Sequence, residues 1–200
     1  MNHERKCHYL KIKRALDVAL SLILLFFLAV PMALIWVAIV LTSRGGGIFS
    51  QIRIGKGGKK FVCYKFRTMR KNTPICSAKQ MAERGGADRY VTPIGRFLRK
   101  SSLDELPQLF NVLKGDMSLV GPRPLIADEL EVHLARAQRG VYAIRPGITG
   151  LAQVRGRNSV SDGVKIELDT QYLENLGFAQ DIRIIGLTAR SVVSQKDIDA

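Results

Sequence analysis

Cysteine is scarce in this chain and never paired in pattern: Cys7, Cys63 and Cys76 stand far apart, with no Cys-x-x-Cys motif. That excludes a disulfide framework and leaves zinc no thiolate set, so the thiols read as reduced, as in a cytoplasmic domain. Acidic residues are also few. Seventeen Asp and Glu against 31 Lys and Arg leave a net charge of +14, which demands an anionic partner: nucleic acid, anionic lipid or a phosphorylated substrate. Aromatics make up only 7% and form no stacking platform among the basic residues, which sets nucleic acid aside. No internal repeat is visible, and 200 residues suffice for one compact core but not for two large ones.

Charge is absent altogether from Val18 to Ser43. The run exceeds the roughly 20 residues a spanning helix requires. It is too long for the apolar region of a cleaved signal peptide and ends without a small-x-small site. Arg5, Lys6, Lys11, Lys13 and Arg14 precede it, while Arg44, Arg53, Lys56, Lys59 and Lys60 follow. The positive-inside rule therefore places both ends in the cytoplasm. Pro31, near the middle, removes a helical hydrogen bond and bends the chain. The expectation is a re-entrant helical hairpin over residues 1–44 and a cytoplasmic catalytic domain over 45–200, held against anionic lipid. A simple kinked span is the alternative, since membrane helices tolerate proline.

The remainder predicts an α+β fold, mostly helical, with amphipathic helices at the membrane surface. Ile48–Ile54 and Lys60–Met69 form a β-hairpin around a glycine-rich turn, with Phe61, Cys63, Lys65 and Arg67 on one face,. Residues 70–92 read as a polar loop with a short helix around Ala78–Arg84. Leu106, Leu109, Phe110 and Leu113 mark an amphipathic helix stopped by Gly115. Pro107 belongs in its first turn, which makes Asp104 or a neighbour the N-cap and puts Asp104 and Glu105 at the positive helix end. There carboxylates stay ionised and phosphates dock; a purely structural cap accounts for the same residues.

Further on, Val120-Gly121-Pro122-Arg123-Pro124 is stiff and presents Arg123 either for bidentate phosphate binding or as a solvated turn arginine. A helix over Leu125–Arg139 stops at Gly140, and Arg145–Gly150 reads as a tight turn. Gln153–Asn158, containing Arg157, reads as a basic loop that joins that turn to line an anion site. Asp169 sits among Ile166, Leu173 and Leu176, so it is either paired structurally or functional. A helix over Asp181–Ser194 looks like packing.

Strung together, these segments resemble the bacterial sugar transferases known as monotopic phosphoglycosyl transferases. The resemblance rests on Lys13-Arg14-x-x-Asp17, the apolar hairpin with Pro31, Phe49-x-Gln51-x-Arg53-x-Gly55 and Tyr64-Lys65-Phe66-Arg67-Thr68-Met69. It continues through Ser102-Leu103-Asp104-Glu105-Leu106-Pro107-Gln108, Lys114-Gly115-Asp116-Met117-Ser118, Gly121-Pro122-Arg123-Pro124 and the run from Arg145 to Val154.

The resemblance implies transfer of a sugar phosphate from a UDP sugar to polyprenyl phosphate at the cytoplasmic face of the bacterial inner membrane, an early step of glycoconjugate, exopolysaccharide or lipopolysaccharide synthesis. It implies Asp104 as nucleophile and Glu105 beside it, the two holding Mg²⁺. Arg99, Arg123, Arg145, Lys65 and Arg67 would bind phosphate, with Asp169, Gln153 and Arg157 in support. A second copy of the chain is an admissible partner. Gly46 and Asp162 depart from the family pattern, which commonly has proline and tryptophan at these places; the second bears on sugar or nucleotide preference. A basic membrane-anchored adaptor without catalysis is the competing reading, with its cations serving anionic lipid.

Overall fold

The computed structural model describes residues 3–43, 45–74, 81, 85–156 and 161–194. Helix α1, His3–Thr42, is one continuous helix with Pro31 inside it. The segment expected to form two arms is thus a single element in hydrogen-bonding terms, because one proline deletes one bond and the remaining ladder carries on. Among the described residues, α1 is the helix long and apolar enough to cross a membrane. Phe26 and Phe27 are 79% and 71% exposed, a surface that water disfavours and lipid accepts.

Both ends of α1 dock on the same globular body. Near its start, Lys13 donates to Asp181 at 2.5 Å and Asp17 accepts from Ser118 Oγ at 2.7 Å and from Leu119 N at 3.2 Å. Arg14 donates to the carbonyls of Val112 and Leu113. Toward its end, Ile39 is fully buried with Phe66 and Leu98, flanked by Met32 and Ile35.

Strands β1, Ile48–Ile54, and β2, Lys60–Phe66, pair antiparallel from Ile48↔Phe66 to Ile54↔Lys60. Gly57 and Gly58 take φ of 68° and 73° in the connecting turn, a region that suits glycine. β2 stops short of Met69, because Arg67 N turns to Gly47 O and Met69 bridges to Val91. The outer edge of β2 is met by a side chain. Asn111, fully buried, accepts from Tyr64 N at 3.0 Å and donates to Val62 O at 2.6 Å.

Helix α2, Pro93–Lys100, is capped by Thr92, whose hydroxyl accepts from Gly95 N. The 3₁₀ turn Leu103–Glu105 leads into α3, Gln108–Lys114, which Gly115 ends at φ 92°. The Gly115 stop agrees with the sequence reading, but the buried face of α3 is Gln108, Leu109, Asn111 and Val112. Phe110, expected inward, is 47% exposed; two turns are too short for one stripe to decide the orientation of a helix clamped at both ends.

Strand β3, Ser118–Val120, runs parallel to β4, Gly147–Thr149. Here the sequence indicated only a tight turn over 145–150, since the strand partner lies far away in the chain and leaves no local trace. Helix α4 covers Leu130–Gln138 and begins later than Leu125, because residues 121–126 are tied to neighbouring elements. Helix α5, Leu151–Gly156, replaces the first part of the basic loop. Helix α6, Asp162–Glu174, buries Ile166, Leu168, Asp169 and Tyr172, and α7 runs over Phe178–Ser194. The main core joins Val120, Ile144, Leu151, Leu168, Tyr172 and Ile184. The helix expected around Ala78–Arg84 lies outside the described residues except for Met81, which is buried.

Candidate active site

The chain enters the Asp104–Glu105 turn through Ser102, whose φ of 56° is the positive value among described non-glycine residues. A left-handed serine costs about 1–2 kcal/mol, and such strain persists where the surroundings fix it. It turns the next residues into a 3₁₀ turn against β2 and α2. Asp104 is consequently not the N-cap of α3: that position falls at Pro107, and no side-chain capping bond forms. Instead Asp104 is buried at 8% exposure.

Asp104 and Glu105 have opposite electrostatics. Burial pushes the Asp104 carboxyl above its usual range, aided by the charge of Glu105 and opposed by Lys65, Arg99 and Arg123. Burial works in the same direction on Glu105, but Lys65, Arg123, the Lys65 hydrogen bond and Arg53 together hold it below the usual range. The ion pair from Lys65 Nζ to Glu105 Oε1 measures 2.5 Å. Two carboxyls of adjacent residues are thus driven apart, the pattern by which sites divide roles between like groups.

A shallow, solvent-open cleft lies beside Glu105, lined by Arg53, Cys63, Lys65, Arg123, Gln153 and neighbours. The sequence reading placed Arg53 among the basic flanks and in a family-like string but gave it no site role. Burial in this cleft pushes its pKa below the ordinary arginine value, as does the charge of Arg123, and it donates to Pro124 O at 3.0 Å and to Gln51 at 2.5 Å. The family-like string Phe49-x-Gln51-x-Arg53 held the signal: alternation puts Gln51 and Arg53 on one strand face. Gln153 donates to Ile148 O at 2.8 Å, while its buried Oε1 has no partner.

Of the remaining candidates, Arg99 lies close enough for Asp104 to support its charge against burial, and its Nε donates to Thr68 Oγ1 at 3.0 Å. Arg67 lies apart, its guanidinium against Gly45 and donating weakly to Ile48 O. Arg145 is likewise outside the cleft: its Nε donates to Gly115 O at 2.7 Å, and it faces Lys13, Arg14 and Asp17. Asp169 is 1% exposed and pairs with Arg136. Arg157 lies outside the described residues. Asp162 is on the surface, 3.0 Å from Lys165.

Glycines explain how the Arg123 segment comes so near. A Cβ on Gly121 would fall 2.5 Å from Arg145 O, and one on Gly147 would fall 2.1 Å from Gly121 N. Only hydrogen fits between these crossing backbones.

As to metal, among the described residues no group of three His, Cys, Asp or Glu side chains converges. Magnesium nevertheless needs only one or two carboxylates when substrate phosphates and water complete its shell. Asp104 and Glu105 meet that requirement.

A profile described as bacterial sugar transferase matches residues 8–195. Over 196 residues the chain is 41% identical to an undecaprenyl-phosphate galactose phosphotransferase of Salmonella typhimurium, covering 91% of this chain and 40% of that protein. It is 41% identical over 191 residues to the uncharacterized sugar transferase EpsL of Bacillus subtilis, covering 94% and 90%. An undecaprenyl-phosphate glucose phosphotransferase of Komagataeibacter xylinus is 38% identical over 200 residues, with 92% and 36% covered. The chain therefore spans less than half of the first and third of these relatives and nearly the whole of the second.

Proposed function

Because this chain belongs to the bacterial sugar transferase family, we propose that it moves a sugar 1-phosphate from a UDP sugar to undecaprenyl phosphate through a covalent intermediate on Asp104. The observation that carries this reading is the buried Asp104 carboxyl beside Glu105, acted on by the charges of Lys65, Arg99 and Arg123. The adaptor reading gives no reason to bury a carboxylate there.

In the first step an Asp104 oxygen attacks the phosphorus that bears the sugar. The bond from that phosphorus to the bridging oxygen breaks, and UMP leaves with the electron pair. In the second, a phosphate oxygen of undecaprenyl phosphate attacks the same phosphorus and the Asp104 carboxylate departs. Dividing one transfer into two displacements is what a covalent nucleophile offers. Lys65, Arg53 and Arg123 offset the charge of the diphosphate, in a partly buried cleft where fixed cations count for more than in water. Mg²⁺, held by Asp104 and Glu105, would supply Lewis-acid neutralisation of phosphate charge. The unpartnered Gln153 Oε1 is an acceptor for a donor group of the bound substrate.

The apolar segment is proposed to enter and leave the cytoplasmic leaflet of the bacterial inner membrane. Its support is the docking of both ends on one body. Lys13 and Asp17 dock before the apolar run and Ile39 packs with Phe66 and Leu98 near its end.

The test is incubation with UDP sugars and Mg²⁺ without lipid acceptor. UMP release and a gain of one phosphosugar mass on the peptide carrying Asp104 are expected. UMP release only when acceptor is present, with no trapped adduct, would sink the two-step reading.

A further inference from the structure

Prolines deprive the Val120–Leu125 segment of main-chain donors at Pro122 and Pro124, so its course depends on what its carbonyls accept. Val120 O accepts from the Tyr172 hydroxyl at 3.2 Å and Pro122 O from Gly147 N at 2.9 Å. Arg123 O accepts from Arg136 Nη1 at 2.8 Å, Pro124 O from Arg53 Nη1 at 3.0 Å and Leu125 O from Ile54 N at 3.0 Å. The Arg123 side chain itself is exposed on the cleft.

The donor on Arg123 O comes from deep inside. Arg136 is 2% exposed, and its Nη2 donates to Asp169, which is 1% exposed. Removing two charges from water is costly, and an apolar pair of equal volume often stabilises a fold as well or better. An apolar pair, however, cannot donate to a carbonyl. A planar guanidinium with one Nη held by a carboxylate fixes the direction of the other, here toward Arg123 O,.

We propose that Arg136 and Asp169 are positioning residues for the transfer reaction, fixing the Arg123 main chain so that its guanidinium meets substrate phosphate beside Lys65 and Glu105. This rests on the reading of Arg123 as a phosphate clamp. Neither residue touches the cleft, and both act through the one carbonyl.

Arg136→Lys tests it in the full chain, with UDP-galactose, or UDP-glucose where the wild type prefers it, and Mg²⁺. The ammonium keeps the charge beside Asp169 but cannot hold the carboxylate and the Arg123 carbonyl in one plane. Displacing a reacting group by about 1 Å costs on the order of a hundredfold, so kcat for UMP release should fall by about 10- to 100-fold, with KM moving less. Arg123→Ala should cause a loss of similar size, and adding Arg136→Lys to Arg123→Ala should change kcat by less than about twofold, as expected of residues acting through one group.

If Arg123→Ala has wild-type kcat, the clamp reading fails first. If Arg123→Ala is impaired and Arg136→Lys multiplies the loss, the clamp stands and the positioning proposal falls. Asp169→Asn, which keeps an acceptor for Arg136, is the second variant and should show the same non-additivity. Failure of both variants to fold, judged by circular dichroism in detergent, would assign the pair to stability and overturn the proposal.

Discussion

Lys65 Nζ and Glu105 Oε1 lie 2.5 Å apart, and after burial their charges act most strongly on the neighbouring Asp104 carboxyl, in opposite directions. Lys65 is the largest charge acting to lower the pKa of Asp104, which burial otherwise raises. Removing the cation makes the Asp104 carboxylate harder to form, so the protonated, non-nucleophilic form persists to higher pH. In Lys65→Met the acid limb of the kcat/KM profile should therefore move to higher pH, with activity lost most at the acid end. A uniform loss across the range, with the limb unmoved, would separate Lys65 from the ionisation of Asp104.

Asp104→Asn preserves the shape of the buried side chain and no capping bond is lost, since none forms at this position. The variant should keep the wild-type circular dichroism spectrum and Tm to within a few degrees. Its UMP release should fall by about a thousandfold or more, the scale seen when a nucleophile is deleted, and intact-mass spectra should show no phosphosugar adduct.

Chelation with EDTA should abolish UMP release, and excess Mg²⁺ should restore it. Because the proposed site draws only two carboxylates from the protein, chelation should leave Tm unchanged. Full turnover in excess chelator would remove the metal from the scheme.

The disposition of α1 can be read with cysteine labels. Cys7 is exposed before the apolar segment, Cys63 is buried, and Gly46, after the segment, has no atom near a built Cβ. With Cys76 replaced by serine, Cys7 alone or Gly46→Cys in a Cys7→Ser background should resist an impermeant maleimide added outside intact cells and react once the cytoplasmic face is opened. Outside labelling of either end alone would establish a span.

Asn111→Leu removes a side chain that meets both Tyr64 N and Val62 O. Leaving two polar groups unpaired costs about 1–3 kcal/mol each. The expected loss is roughly 2–6 kcal/mol, or about 4–24 °C in Tm for a chain of this size. Thermal unfolding followed by circular dichroism measures it.

Several of these elements were legible in the chain itself. The hairpin announced itself by period-2 alternation around Gly57 and Gly58, and Gly115 marked the end of α3. The clustering of Asp104, Glu105, Lys65 and Arg123 followed from a resemblance that joins distant segments. What stayed hidden depended on partners remote in sequence. Nothing local marks Arg136, because its carboxylate, Asp169, arrives 33 positions later. Arg145 carried the right charge but spends it on Gly115 O, which no local pattern reveals. Arg53 lay among ordinary flanking cations until β1 turned it inward. The cap expected at Asp104 failed because Ser102 adopts a left-handed backbone that a helix-start rule does not anticipate.

A two-stranded ribbon ordinarily exposes two raw edges that can recruit a strand from another molecule. Here both are partly closed off from within: Asn111 stands against β2, and the Leu125 carbonyl receives Ile54 N at the end of β1. Such a ribbon is poorly suited to edge-to-edge pairing with a strand of another molecule. The asparagine that ties β2 to α3 thereby also occupies donor and acceptor groups that an incoming strand would need.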